Sequence, residues 1–246
     1  MFSVQDDIAK AIVTALKLKL LGEKGAPLVK NYTENLEAYR LYQLGLNLWN
    51  KRGEENLTKS IEYFQKAIGI DPNYALAYTG LSDAYSILGN NGIWPAEKAY
   101  PKAKEAASKA LEIDDKLAEA HTSLAGIMQD YEWDFAGAEK EYKLAIELSP
   151  GYATAHHWYA SFLSTLGRHE EAIREIKVAR SLDPLAPRIS ANVGLFLYSA
   201  RRYDQAIEEL NKALEVEPNH FATHFFMGLA LEAMGKYEEA IKCYLR

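Results

Sequence analysis

Residues 156–184 read HHWYASFLSTLGRHEEAIREIKVARSLDP. Two helical patterns follow one another in this stretch. The first places His156, Tyr159, Ala160 and Leu163 at offsets of 3, 4 and 7, which gathers them on one face of a helix. The second carries Ala172, Ile176 and Ala179 and ends at Pro184, which lacks an N–H and restricts the residue before it. Large side chains fill space on each helix. The small ones, Ala160 and Ala172, fall where two backbones must approach closely.

The same pair of patterns recurs in both directions. Toward the N-terminus the first pattern appears as Leu41/Leu44/Gly45/Leu48, Tyr78/Leu81/Ser82/Tyr85 and His121/Leu124/Ala125/Met128. Its companions are Ser60…Phe64…Ala67…Pro72, Ala103…Ala107…Ala110…Asp115 and Ala138…Tyr142…Ala145…Pro150. Toward the C-terminus the pairs are Ser190/Val193/Gly194/Leu197 with Ala206…Leu210…Ala213…Pro218, then His224/Met227/Gly228/Leu231 with Ala240…Tyr244. Taking Ala38, Ala75, Ala118, Ala153, Pro187 and Phe221 as first helical residues gives spacings of 37, 43, 35, 34 and 34. A period of about 34 residues is that of tetratricopeptide repeats. From Ala38 to Arg246 the chain resembles that family. The resemblance implies an all-α fold, a right-handed α-solenoid of helix-turn-helix repeats over residues 38–246.

Two units are longer than the period. The first carries 37 − 34 = 3 extra residues, expected around Arg52 to Asn56. The second carries 43 − 34 = 9, expected over Gly89 to Tyr100, with a helix start at Pro95 and an interruption or kink at Pro101. Ile93 and Trp94 are apolar for a loop tip and are expected to tuck against neighbouring helices, or else to meet a partner.

Residues 1–37 read as an N-terminal helix and linker. Ile8, Ile12, Val13, Leu16 and Leu20 form an apolar stripe over residues 3–21, Ser3 can cap the start, and Gly22 ends it. A helix with that stripe exposed is not stable alone, so it is expected to cover the first repeat or to meet another domain or chain. Phe2 to Ala9, with Leu41 to Asn50 and Asn73 to Tyr78, also resembles bacterial multidomain signalling proteins. In those, an adenylate-cyclase-like, winged-helix or kinase domain precedes the repeats. This resemblance implies that the chain is a piece of a larger protein, as does Arg246 falling inside the sixth second helix.

Composition narrows the function. The 246 residues carry a formal net charge of −6, which offers no basic face for nucleic acid or anionic lipid. No run of apolar residues reaches membrane-spanning length, and the acidic start lacks the basic region of a secretory signal. The lone Cys243 excludes an internal disulfide and suits a reducing, cytoplasmic setting. His121, His156 and His224 share one repeat position, that of a bulky packing residue. His220 and His224 stand at i,i+4 but lack a third ligand, so no metal is expected. No phosphate loop, nucleophile signature or carboxylate pair is present, so neither a cofactor nor catalysis is expected.

The family resemblance implies that first-helix residues at the second, fifth, ninth, twelfth and thirteenth positions face a concave groove. Carried onto this chain, they include Tyr39, Tyr42, Leu46 and Trp49 in the first repeat, and Thr79 and Asp83 in the second. Thr122 and Gln129 follow in the third, and His157, Ser161 and Ser164 in the fourth. Arg188, Leu195 and Tyr198 represent the fifth, and Phe225 the sixth. Asp83, Glu119, Asp130 and Glu232 against Arg188 give 1 − 4 = −3, which favours a neutral or basic protein or peptide. Family members that grip chaperone carboxylates use Lys and Asn where this chain has Tyr42 and Leu46. The expected role is thus a protein- or peptide-binding scaffold, the sensory or assembly part of a larger signalling protein. A substrate-recruiting arm of an enzyme is the alternative. So is self-association, as a homodimer, through the N-terminal helix or the last repeat.

Overall fold

The structure, a computed structural model, describes residues 32–246. The expected helix over residues 3–21 lies outside the described residues. Twelve α-helices follow in order: α1 Leu36–Lys51, α2 Glu54–Ile70, α3 Ala75–Asn90, α4 Ala96–Ile113, α5 Ala118–Ile127 and α6 Phe135–Leu148. Then come α7 Ala153–Thr165, α8 His169–Leu182, α9 Pro187–Ser199, α10 Tyr203–Val216, α11 Phe221–Ala233 and α12 Tyr237–Tyr244. No strand occurs among the described residues. Odd and even helices are the first and second members of six pairs, and five of the expected first-helix starts are met at the named residue. The first pair begins two residues early, at Leu36, because the Asn35 carboxamide accepts from the Glu37 and Ala38 amides at 3.0 Å and caps the helix there.

Each pair turns through the left-handed region at one residue, except the first, where Gly53 follows Arg52 at φ 78°. Arg52, Trp133 and Arg201 have φ of 59°, and Gly92, Gly167 and Gly235 lie between 65° and 76°. At the turn after α7, the Arg168 amide reaches back to the Leu163 carbonyl at 2.9 Å. Arg202 to Leu197 and Lys236 to Leu231 repeat that bond. Between pairs, Asp71 and Asp114 close the turns by accepting the amides two residues ahead.

The extra residues go into helix rather than loop. α2 has 17 residues where α8 has 14, so the three additional residues lengthen its first turn. In the second pair α3 and α4 reach 16 and 18 residues. Pro95 caps α4 instead of opening it, and Pro101 lies inside an unbroken helix. It sits exposed on the outer side, where the Glu97 carbonyl it leaves unpaired can meet water. The third unit, 35 residues to the next, absorbs its one extra residue as a π turn at Met128–Glu132. Ile93 and Trp94 fold back, both amides bonding the Leu88 carbonyl at 3.0 Å, and pack against the first core cluster.

Packing at the helix crossings follows the small residues. Ser60, Ala103, Ala138, Ala160, Ala172 and Ala206 have no exposed surface. Gly45 lies under the Phe64 ring, where an added Cβ would stand 2.6 Å from a ring carbon. Gly80 of the next pair meets the other side of the same ring at 2.6 Å. Phe64 thus bridges two pairs, and neither glycine can carry a methyl without moving it. Leu210 over Gly194 and Tyr244 over Gly228 repeat the arrangement.

Each first helix contacts the first helix of the next pair, α1 with α3 through α9 with α11. The second helices contact first helices and hardly touch each other. A row whose members meet on one side and diverge on the other curves toward the meeting side. The first helices therefore line the inner, concave face.

Candidate functional site

The inner face is where first helices meet, so many side chains expected to line an open groove are partly consumed in holding the row together. Thr79 and Thr122 are buried, and their hydroxyls donate to the Leu76 and Ala118 carbonyls of their own helices at 2.8 Å. Ser161 donates to the His157 carbonyl in the same way. Ser164 and Leu195 are half-buried. Tyr42 is a core residue as much as a groove residue. Its ring lies 5.8 Å from Phe64 and 5.1 Å from Tyr74, while its hydroxyl feels Glu119 and Asp83 and is raised, chiefly by burial.

Two polar contacts join neighbouring inner helices. Ser123 on α5 donates to the Asp83 carboxylate on α3 at 2.6 Å. Burial pushes Asp83 up to about 7 against the opposing pull of that hydrogen bond and of Arg52. Asn192 on α9 lies 2.7 Å from Nε2 of His157 on α7. The carboxamide nitrogen can only donate, so Nε2 accepts and the imidazole is neutral with its proton on Nδ1. Burial, followed by the charges of Arg188 and Arg52, pushes His157 down to about 4, which agrees with that neutral form.

Gln129 is occupied: its amide donates to Asp130 at 2.9 Å and its carbonyl accepts from Tyr142 at 3.2 Å. Asp130 also accepts from Asn90 at 2.6 Å, and Glu232 accepts from Tyr244 at 2.8 Å. Both acids counted toward the groove's charge are therefore held at the far ends of their helices. Arg188 is exposed and makes no ion pair among the described residues. Tyr39 is 50% exposed at one end of the row, and Phe225 is 42% exposed at the other, stacked on Phe221 with centroids 6.2 Å apart. Tyr198 is half-buried, 5.8 Å from Tyr203. Leu46 and Trp49 pack partly against the first core cluster.

Sequence reasoning missed Ser123, Asn192 and Arg52. The first two occupy the sixth position of their helices, beside the expected fifth. Their polar character at one repeated place was the available signal. Arg52 sits in a turn, off any helical face count. Its guanidinium lies 3.6 Å above the Trp49 ring.

The repeated histidines lie away from this face and do more than fill space. Nδ1 of His121 is 2.6 Å from Glu141 and Nε2 is 3.0 Å from the Asp115 carbonyl. His156 repeats this with Glu175 at 2.7 Å and the Pro150 carbonyl at 3.1 Å. Each imidazole ties a first helix to the turn before it and to its own second helix, and the Glu175 hydrogen bond raises His156. His224 keeps the turn contact, to the Pro218 carbonyl at 2.8 Å, while His220 bonds Thr223. No group of three metal-ligating side chains occurs among the described residues.

Paired helices stacked in phase, with a polar and aromatic inner face, define a helical-repeat solenoid. Comparison with known proteins agrees. Residues 38–74 match the tetratricopeptide-repeat model, and residues 190–246 match that of anaphase-promoting complex, cyclosome, subunit 3. The solved structure of PilF from Pseudomonas aeruginosa is 30% identical, with 66% of this chain and 73% of that chain covered, at a TM-score of 0.53. TTC0263 from Thermus thermophilus has the same fold at a TM-score of 0.61 and 19% identity, with 83% and 99% covered. The transcriptional regulator HilA of Salmonella typhimurium is 27% identical over 150 residues, 61% of this chain and 27% of the regulator. This chain thus spans about a quarter of that relative's length. It belongs to the tetratricopeptide-repeat family.

Proposed function

We propose that the chain is a protein- or peptide-binding scaffold that receives an extended segment of its partner along the inner face, and that it binds rather than catalyses. The observation that carries this is the row of first helices, which presents exposed aromatic side chains at both ends, Tyr39 and Phe225, and between them Arg188, which makes no ion pair among the described residues. Exposed aromatic surface of this kind is characteristic of a contact face. Similarity to a pilus assembly protein and to a transcriptional regulator supports a role inside a larger assembly or signalling protein. The partner segment is close to neutral overall, because Asp83 and Glu119 on this face are offset by Arg52 and Arg188. No helix among the described residues is long and apolar enough to cross a membrane.

The test is a peptide array probed with the purified chain. Tyr39→Ala with Phe225→Ala should weaken its hits about tenfold or more. Lys177→Ala with Glu208→Ala, on second helices, should leave them unchanged. Equal losses from both pairs would overturn the inner-face assignment.

Self-association is the second reading. Around the last pair Phe221, Tyr237, Ile241 and Leu245 remain more than half exposed. A second copy would cover them, and sedimentation showing only monomer across micromolar concentrations would remove this reading.

A further inference from the structure

One contact recurs along the outer side of the row, between the fourth residue of a first helix and the seventh of its second helix. In the third and fourth pairs it joins His121 to Glu141 and His156 to Glu175, with Nδ1 at 2.6 and 2.7 Å from the carboxylate. Nε2 of each ring faces a turn carbonyl, that of Asp115 or Pro150, which can only accept. Nε2 therefore donates, and Nδ1 shares a proton with the glutamate. In the fifth pair Ser190 replaces the histidine, and Glu209 turns to Arg180 and Lys212. In the sixth pair the histidine returns as His224, but Cys243 stands at the glutamate's place. Nε2 of His224 keeps the turn contact, to the Pro218 carbonyl at 2.8 Å, while Nδ1 makes no hydrogen bond among the described residues. His224 is 4% exposed and lines an open groove of about 360 Å³ between α10 and α12, floored by α11. Ile207, Leu214, Met227 and Leu231 make the groove apolar. Its exposed charges are Lys242 and Arg246 against Glu239.

We propose that the groove between α10 and α12 is a second docking surface, on the outer face, where a partner segment sets an acidic side chain against Nδ1 of His224 and apolar side chains beside it. The molecule itself shows what fills this place, since Glu141 and Glu175 fill it from within in two other pairs. Cys243 does not replace them. Burial raises its thiol, so it offers the ring no negative charge. An incoming carboxylate would complete the pair that the third and fourth repeats already make, and Lys242 and Arg246 favour the approach of an anion. The surface lies away from the inner face and does not depend on the reading of that face.

The probe is a capped tripeptide with glutamate between two leucines, and its counterpart carries glutamine there. The ring resonances of His224, assigned by their loss in His224→Gln, report occupancy at neutral pH. They should move saturably toward the doubly protonated form with the glutamate peptide and stay in place with the glutamine one. Cys243→Glu supplies the carboxylate from within. Its His224 ring should reach that form without any peptide, and it should bind the glutamate peptide at least about tenfold more weakly, the worth of one charge-assisted hydrogen bond. Cys243→Ser alters a half-buried side chain without adding charge and should bind as the parent chain does. Unchanged binding in Cys243→Glu, an equal response to the glutamine peptide, or no response to either would overturn the proposal. A His224 ring that is doubly protonated without peptide and reverts on dilution would assign the groove to a second copy and overturn the partner reading.

Discussion

Asp83 and His157 lie on one face and are both buried in the form that water would not choose, which gives the chain two opposed responses to pH. Asp83 titrates at about 7 when folded, against 3.8 as its ordinary value. Between those values the folded state holds a proton the unfolded state has released, so stability falls as pH rises from about 4 to 7. His157 titrates at about 4, against 6.5. Over that interval the unfolded state binds the extra proton, so stability falls as pH drops from 6.5 to 4. The two slopes overlap and partly cancel. Asp83→Asn removes one of them and keeps an acceptor for the Ser123 hydroxyl. Its melting temperature should match that of the parent near pH 4 and exceed it increasingly up to pH 7. The variant alone should then show the acid-side loss due to His157. A melting-temperature difference that does not vary with pH would mean that Asp83 is ionised in the fold throughout. His156 acts in the other direction from its neighbour. Its raised value makes its ion pair with Glu175 a contribution that is present in acid and lost as pH rises through that value.

At the scale of elements, the six pairs are one design executed with different residues at the turn, and the turn exposes a local cost. Gly167 and Gly235 adopt φ of 75° and 76°, at no steric penalty. Arg201 holds the same place with φ of 59° and an exposed side chain that makes no hydrogen bond among the described residues. A side chain in the left-handed region is strained, and glycine relieves the strain at some cost in chain entropy. Arg201→Gly should therefore stabilise the chain by up to about 1 kcal/mol, seen as a higher denaturant midpoint with unchanged slope. A lower midpoint would show that the Arg201 side chain carries an interaction that outweighs the strain. The turn chemistry was only partly legible in the sequence. Small residues recurring in phase located every helix crossing, because a backbone approach admits nothing larger. The three- and nine-residue excesses looked like loop, since Gly-Asn-Asn-Gly and two prolines are loop chemistry locally. Packing overrode that, turning most of the excess into extra helical turns that carry Leu57, Ala99 and Tyr100 into the core. Of the site, the identity of the inner face could be read from helical position. The pairing of Asp83 with Ser123 and of His157 with Asn192 could not, because it depends on the register between neighbouring units. Arg52 escaped because a turn residue belongs to no face until the turn is built.

At the scale of the whole molecule, the apolar interior is not one body. One cluster runs from Ala38 to Ile127 and centres on Leu57, Phe64 and Leu88. Another runs from Ala125 to Ala230 and centres on Tyr142, Phe162 and Ile176. They adjoin at α5, which contributes Ile127 to the first and Ala125 to the second, and α5 is the helix whose end gives way to a π turn. In a solenoid each unit is stabilised mainly by its neighbours, so damage need not spread along the whole row. Leu57→Ala removes a side chain with no exposed surface and should cost about 2–5 kcal/mol. That loss belongs to the first cluster. Hydrogen exchange should speed up through α1 to α4, while α8 to α10 keep their protection, with the boundary falling within α5. If the C-terminal helices lost protection together with the first four, the two clusters would be a single cooperative core. The π turn would then be only the local accommodation of an extra residue. If the boundary falls as expected, the two ends of the groove unfold separately. The corner at Trp49 and Arg52 could then open without disturbing Leu195, Tyr198 and Phe225, and a partner held at both ends would stabilise two otherwise independent halves.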